Sequence, residues 1–231
     1  MRGRIVLVSG GTGALGQSIC LAFLGMGATV CVPYVVPEEQ TRLLGRVSPG
    51  DASRLETALC DVTDEGAVTA HVAQIMAKHH RIDALVNAVG GFAGGDLAST
   101  SLAEWNRMMT LNLTTAVVGC RAVLPGMTQA RHGRIVNVAS RAVVPPPGGF
   151  IAYTVSKAAV ITLTQALAQE VRPHGITVNA VLPSTMDTPA NRAAMPDADR
   201  SGWVTTDAVA RVIAFLASDD ASAISGAAVP V

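Results

Sequence analysis

Ser9-Gly10-Gly11-Thr12-Gly13-Ala14-Leu15-Gly16 is the stretch that decides the fold. It follows the apolar run Ile5-Val6-Leu7-Val8 and precedes residues of helical character, so it reads as the turn of a strand–turn–helix unit. In such a turn, glycines let the backbone approach a ligand, and the free N–H groups of the helix start converge on an anion such as a pyrophosphate. Outward from that turn, β-branched runs alternate with helical stretches to the end of the chain. Strands are predicted at Arg4–Ser9, Thr29–Pro33, Arg54–Cys60, Ala84–Ala88, Ile135–Ser140, Thr177–Leu182 and Ala227–Val231. Helices are predicted at Leu15–Met26, Glu38–Arg46, Asp64–His79, Leu102–Gln129, Ile151–Arg172 and Thr206–Ala217. Most of the strands are apolar throughout, as parallel strands buried on both faces should be. The expectation is therefore α/β: a doubly wound, parallel, seven-stranded sheet with helices on both faces, forming a single domain over residues 1–231.

Composition narrows the class. Hydrophobic residues make up 49% and charged residues 15% of the 231, which suits a compact enzyme with a large core. Formal net charge is zero and Lys and Arg form no run, so the electrostatic footprint of a nucleic-acid binder is missing. Cys20, Cys31, Cys60 and Cys120 are widely spaced with no CxxC pair and read as reduced core residues, and no metal site is expected. The apolar run after Met1-Arg2-Gly3-Arg4 is too short for a signal peptide, and no later run reads as a membrane span. A cytoplasmic enzyme without a membrane partner is the expectation.

Several residues fall at the carboxyl ends of predicted strands, the edge at which open α/β sheets bind ligands. Gly10, Thr12, Gly13, Leu15 and Gly16 form the phosphate turn. After strand two, where an acidic residue would accept from a ribose 2′-hydroxyl, the chain has Pro33-Tyr34-Val35-Val36. The nearest charges, Glu38, Glu39 and Arg42, come a few residues later, so this segment leans to NADP over NAD. Asp61 and Val62 end strand three and can meet adenine, although Asp61 can equally belong to a helix N-cap region in which Thr63 or Asp64 does the capping. Asn87, Ala88 and Gly90 end strand four; Asn87 can serve the cofactor or merely satisfy strand-end backbone groups. Two loops, Val143–Phe150 and Pro183–Trp203, open at the same edge.

Tyr153 and Lys157 stand four apart in a predicted helix, so phenol and ammonium share one face. A nearby cation favours phenolate; lowering a tyrosine from about 10 to near 7 takes roughly 4 kcal/mol, and the product is a usable general acid/base. The pair is weak by itself. Ser140, thirteen positions upstream at the end of strand five, gives it force by offering a second hydroxyl to the same carbonyl oxygen. Asn112 is a polar residue in the middle of a predicted buried helix, where it can relieve the backbone ladder and hold a water that relays protons to Lys157.

Taken together, the glycine turn, Asp61, Asn87-Ala88-Val89-Gly90, Asn112, Ser140, Tyr153 with Lys157, and the segment from Pro183 to Thr188 make the chain resemble the short-chain dehydrogenase/reductase family along nearly its whole length. The resemblance implies a Rossmann-type fold and a catalytic tetrad of Asn112, Ser140, Tyr153 and Lys157. It implies that Lys157 also holds the nicotinamide ribose, with Met186 and Thr188 near the carboxamide and Pro183 among the cofactor-binding residues, and that two long helices build a tetramer or dimer. Ala14, Ala88 and Ser184 depart from the family's glycine, asparagine and glycine at those places. The implied activity is carbonyl–alcohol interconversion with NAD or NADP, as in 3-oxoacyl reductases. The stretch from Asp187 to Trp203 is similar to quinonoid dihydropteridine reductases, which leaves pterin reduction as a rival; a non-catalytic NAD(P)-sensing protein is a second. Phe92, Pro145 to Pro147, Phe150 and Met186 are expected to wall the substrate site, and Arg141 either meets an anionic substrate or faces solvent.

Overall fold

The computed structural model describes residues 1–231, and its elements follow the predicted alternation. Its strands are β1 (Ile5–Ser9), β2 (Thr29–Tyr34), β3 (Leu55–Leu59), β4 (Ala84–Asn87), β5 (Gly133–Val138), β6 (Ile176–Leu182), β7 (Met186–Asp187), β8 (Val204–Thr205) and β9 (Ala228–Pro230). The helices are α1 (Ala14–Gly25), α2 (Pro37–Arg46), α3 (Glu65–His79), α4 (Leu102–Met109), α5 (Thr115–Ala130), α6 (Ile151–Val171), α7 (Pro189–Ala194) and α8 (Thr206–Leu216). Seven strands form one parallel sheet in the order β3-β2-β1-β4-β5-β6-β9. The order reverses between β1 and β4, which opens a crevice at the carboxyl edge there.

Apolar residues on both faces of each central strand explain the layering. One face packs Val6, Val8 and Val30 against Ile19 and Phe23 of α1 and Val209 and Ile213 of α8. The other packs Leu7, Leu85 and Ile135 against Val68 and Ile75 of α3, Val123 and Met127 of α5 and Leu167 of α6. Within the sheet, Asn87 Nδ2 donates to Asn137 Oδ1 at 2.9 Å, Asn137 Nδ2 donates to Thr164 Oγ1 at 2.9 Å, and Ser9 Oγ donates to Asn87 Oδ1 at 3.3 Å. This buried polar chain ties β1, β4, β5 and α6 together, and each link spares a buried group the cost of lying unpaired.

The structure corrects several boundaries. The single helix predicted over Leu102–Gln129 is two α-helices joined by a turn of π-helix at Thr110–Thr114, centred on Asn112. The strand predicted to reach Ser140 stops at Val138, because Ser140 turns to accept a hydrogen bond from Ala142 N–H at 3.2 Å and caps a short 3-10 turn. Arg54 precedes β3 in another such turn, where its guanidinium pairs with Asp51. The stretch Pro183–Trp203, read as loop, contains β7 and α7, the latter capped by Thr188 Oγ1 accepting from Asn191 N–H at 3.2 Å. Two segments, Leu102–Ala130 and Ile151–His174, are long and apolar enough to cross a membrane, which their interruption by polar residues had hidden; here each lays its apolar face on the sheet.

Candidate active site

The glycine turn forms where β1 meets α1, and its shape follows from contact distances. A Cβ at Gly16 would lie 2.0 Å from the Gly10 carbonyl oxygen and 2.6 Å from Gly11 Cα, so only glycine permits the turn to close this tightly. Gly10 itself sits at φ +75°, in the left-handed region. No side chain caps the start of α1, so its first N–H groups are left to a ligand, and the positive end of a 12-residue helix lies behind them. Ala14, in the family's glycine position, simply starts the helix. Gly16→Ala should therefore weaken dinucleotide binding at least tenfold and destabilise the fold by about 1–3 kcal/mol, read by nucleotide titration and urea unfolding.

Lys157 is buried in α6, and its Nζ donates to the Val138 carbonyl at 2.8 Å at the end of β5. No carboxylate compensates it, and burial pulls its pKa down to about 8. Tyr153 lies one turn earlier, its ring edge-on to Phe92 at 5.0 Å and to Phe150 at 6.0 Å. Burial raises the phenol's pKa, and the Ser140 hydroxyl beside it opposes that only partly. This corrects the expected lowering: Lys157 Nζ is spent on Val138 rather than on the phenol. Ser140 and Tyr153 nonetheless meet, one from the end of β5 and one from α6.

Asn112 reaches the same place through Gly91. Its Oδ1 accepts from Gly91 N–H at 2.9 Å, while its Nδ2 donates to Gly91 O at 3.1 Å and to Ser156 Oγ at 3.0 Å. The Ser156 hydroxyl donates in turn to the Tyr153 carbonyl at 2.8 Å. A Cβ at the neighbouring Gly90 would fall 2.8 Å from Asn112 Oδ1 and 3.0 Å from Lys157 Nζ, so Gly90 leaves a cradle with the lysine and asparagine on its floor. The Asn112 side chain thus ties the loop after β4 to Ser156 of α6, with both amide atoms engaged.

The profile of the short chain dehydrogenase family matches residues 4–199. The chain belongs to that family. Among curated relatives, (+)-borneol dehydrogenase 2 of Salvia officinalis is 33% identical, over 97% of this chain and 86% of its own. Among solved structures, an NAD+-bound xylitol dehydrogenase superposes with a TM-score of 0.91 at 26% identity, covering 100% of this chain and 98% of that one. ElxO with NADP bound does so with a TM-score of 0.92 at 28% identity, covering 100% and 97%. As a short-chain dehydrogenase, the chain is an oxidoreductase acting on alcohol or carbonyl substrates with a nicotinamide cofactor. The open α1 terminus and the Gly90 cradle are of the kind such a cofactor fits.

In this short-chain dehydrogenase not every expected site residue faces the crevice. Asn87 points inward and is consumed by Ser9, Asn137 and Cys120, so it positions strands rather than touching a ligand with its side chain. Asp61 Oδ1 takes both Thr63 N–H at 2.9 Å and Thr63 Oγ1 at 2.7 Å, while Asp64 caps α3; Asp61 remains exposed at the end of β3, with Val62 beside it. Ala88, Tyr34 and Met186 are partly buried at the carboxyl edge, and Leu15 is buried beneath the turn. The Pro183 carbonyl accepts from Arg141 N–H at 2.9 Å, bringing the segments that follow β5 and β6 together at their roots. Arg141 turns its guanidinium outward to Val144 O at 3.4 Å, the solvent-facing alternative, and Pro147 is exposed on the same loop.

Phe92 and Phe150, by contrast, flank Tyr153, with ring centroids 5.6 Å apart. Sequence reasoning missed Ser156, a small polar residue that packing alone turned into a link, and Glu39, which folds back onto Thr12. Cys31, Glu56 and His79 bring three metal-ligating atoms within 4.8 Å of one another, but Glu56 already pairs with Lys78 Nζ at 2.9 Å and His79 Nε2 at 3.1 Å. All four cysteines are buried, and burial pushes Cys20, Cys31 and Cys120 up to about 12.

Proposed function

We propose that this short-chain dehydrogenase interconverts a ketone and a secondary alcohol, with Tyr153 as general acid/base, Ser140 as hydrogen-bond donor to the reacting oxygen, and Lys157 as the buried cation behind them. One observation carries the reading: Ser140, just past the end of β5, meets Tyr153 of α6, with Lys157 one turn further along the same helix and packed under Gly90 of the loop after β4. The glycine turn and the uncapped start of α1 would hold a nicotinamide dinucleotide, which when bound would supply or accept the hydride. In reduction, Tyr153 O–H donates its proton to the carbonyl oxygen while Ser140 Oγ–H donates a hydrogen bond to it. Lys157, cationic below about 8, favours the phenolate that remains. Asn112 acts by holding Gly91 in place, which keeps the cradle floor fixed.

The substrate side is apolar. Phe92 is 63% exposed, an unusual position for a large ring unless something covers it, and it joins Phe150 and Tyr153 in an aromatic wall. With Arg141 facing outward and three aromatic rings lining the wall, a neutral ketone with an aromatic or alicyclic flank suits it better than an acyl thioester or a pterin. A panel of neutral aryl and alicyclic ketones, 3-oxoacyl thioesters and a quinonoid dihydropterin tests this. Turnover confined to the pterin would overturn it, and so would nucleotide binding with no turnover of any carbonyl. Phe92→Ala should raise KM for the best neutral ketone about 3- to 10-fold with kcat little changed, as loss of an aromatic edge contact predicts. The outer faces of α5 and α6 are assigned to a dimer or tetramer of this chain.

A further inference from the structure

We infer that Glu39 makes this enzyme prefer the dinucleotide that lacks a 2′-phosphate. The inference rests on the cofactor reading above and departs from the lean to NADP that the end of β2 gives by itself. Tyr34-Val35-Val36 carries no carboxylate, but α2 starts at Pro37 directly afterwards, and its first turn lays Glu39 back over the phosphate turn. Thr12 Oγ1 donates to Glu39 Oε2 at 3.1 Å. Thr12 is itself buried and braced from behind, because Gln17 Nε2 donates to its carbonyl at 2.8 Å. The carboxylate is thus held on the β2 side of the glycine turn, 23 positions after Gly16. That is close to the roughly 20-residue separation at which an acidic residue in such folds meets the ribose 2′-hydroxyl.

The two arginines nearest that place already have partners, Arg42 in Glu39 itself and Arg46 in Gln17. Arg42 Nη2 lies 3.6 Å from Glu39 Oε1, and Arg46 Nη1 donates to Gln17 Oε1 at 3.1 Å. Arg46, Gln17, Thr12, Glu39 and Arg42 therefore form one connected chain along the β2 side of the glycine turn, where the ribose of a bound dinucleotide would come. A ribose hydroxyl entering it finds an acceptor in Glu39. A 2′-phosphate, which carries about two negative charges at neutral pH, meets a fixed like charge instead and must break the Glu39–Arg42 contact to find a counter-ion.

Dissociation constants for NADH and NADPH, measured by nucleotide fluorescence without substrate, decide it. The unmodified enzyme should bind NADH at least about tenfold tighter. Glu39→Gln should cut that ratio by about tenfold, chiefly through tighter NADPH binding, and Glu39→Ala should do the same should the amide retain the Thr12 contact. Equal or tighter NADPH binding by the unmodified enzyme overturns the inference, as does an unchanged ratio in both variants. Failure of both nucleotides to bind the unmodified enzyme overturns the cofactor reading itself, and the inference with it.

Discussion

Tyr153→Phe should lower kcat by about 10²- to 10⁴-fold while leaving the dissociation constant for the dinucleotide within about twofold of the unmodified enzyme's, the range expected for removal of one positioned general acid. The variant keeps the ring, and with it the edge contacts to Phe92 and Phe150, so its fold and apolar wall should persist. Only the hydroxyl and its interaction with Ser140 go. The pH dependence sharpens the expectation. Burial raises the phenol's pKa, so it holds its proton through neutral pH and is ready to act as an acid in reduction. In the oxidation direction the same group must first lose that proton. Oxidation should accordingly accelerate with rising alkalinity in the unmodified enzyme, and the acceleration should vanish in the variant. Single-turnover rates in both directions measure this, and a variant that kept more than a tenth of the parent turnover on its best substrate would remove Tyr153 from the chemistry.

How far this site was legible in the sequence depends on whether a residue's role is set locally or by packing. The glycine turn was legible because contact between Gly16 and the Gly10 carbonyl is a matter of a few neighbouring residues. The Tyr153–Lys157 relation was legible because helical periodicity alone fixes it, and the parallel seven-stranded sheet was legible because most of its strands are apolar throughout, as strands buried on both faces are. Asn112 announced a break in its helix, and a π-turn is there; but its side chain is taken up by Gly91 and Ser156, partners 21 and 44 positions away that no local pattern names. Asn87 looked like a ligand because it ends a strand, yet Asn137 on the adjacent strand claims it. The direction of Tyr153's pKa depends on how deeply the ring is buried and on where Lys157 Nζ turns, and both are properties of the assembled core. Glu39 shows the limit most plainly: five positions past the expected place for an acid, it returns to the glycine turn only because α2 begins so soon after β2.

Lys157→Met carries the other large effect, and it separates stability from function. Turnover should fall by at least about 10²-fold, since Lys157 supplies the buried positive charge one helical turn from the nascent phenolate. Stability should move in a direction that reverses with pH. The folded protein holds Lys157 at about 8 against an ordinary 10.5, so its charged form is disfavoured by burial. That penalty, about 3 kcal/mol, is fully present below pH 8, shrinks as pH rises towards 10.5, and is absent above it. Methionine fills a similar volume without charge but leaves the Val138 carbonyl without its 2.8 Å donor, a loss of about 1–2 kcal/mol at every pH. The balance makes the methionine variant the more stable protein at pH 7, by about 1–2 kcal/mol, and the less stable one above pH 10.5 by about as much. Taking the difference between the two proteins removes the titration of the buried cysteines, which both share. Urea unfolding of both at pH 7 and at successive steps up to 10.5 would reveal the crossing. A difference that stayed constant across that span would mean the lysine is not held against its charge, and the reason for keeping so costly a cation beneath Gly90 would have to lie elsewhere than in the chemistry of Tyr153.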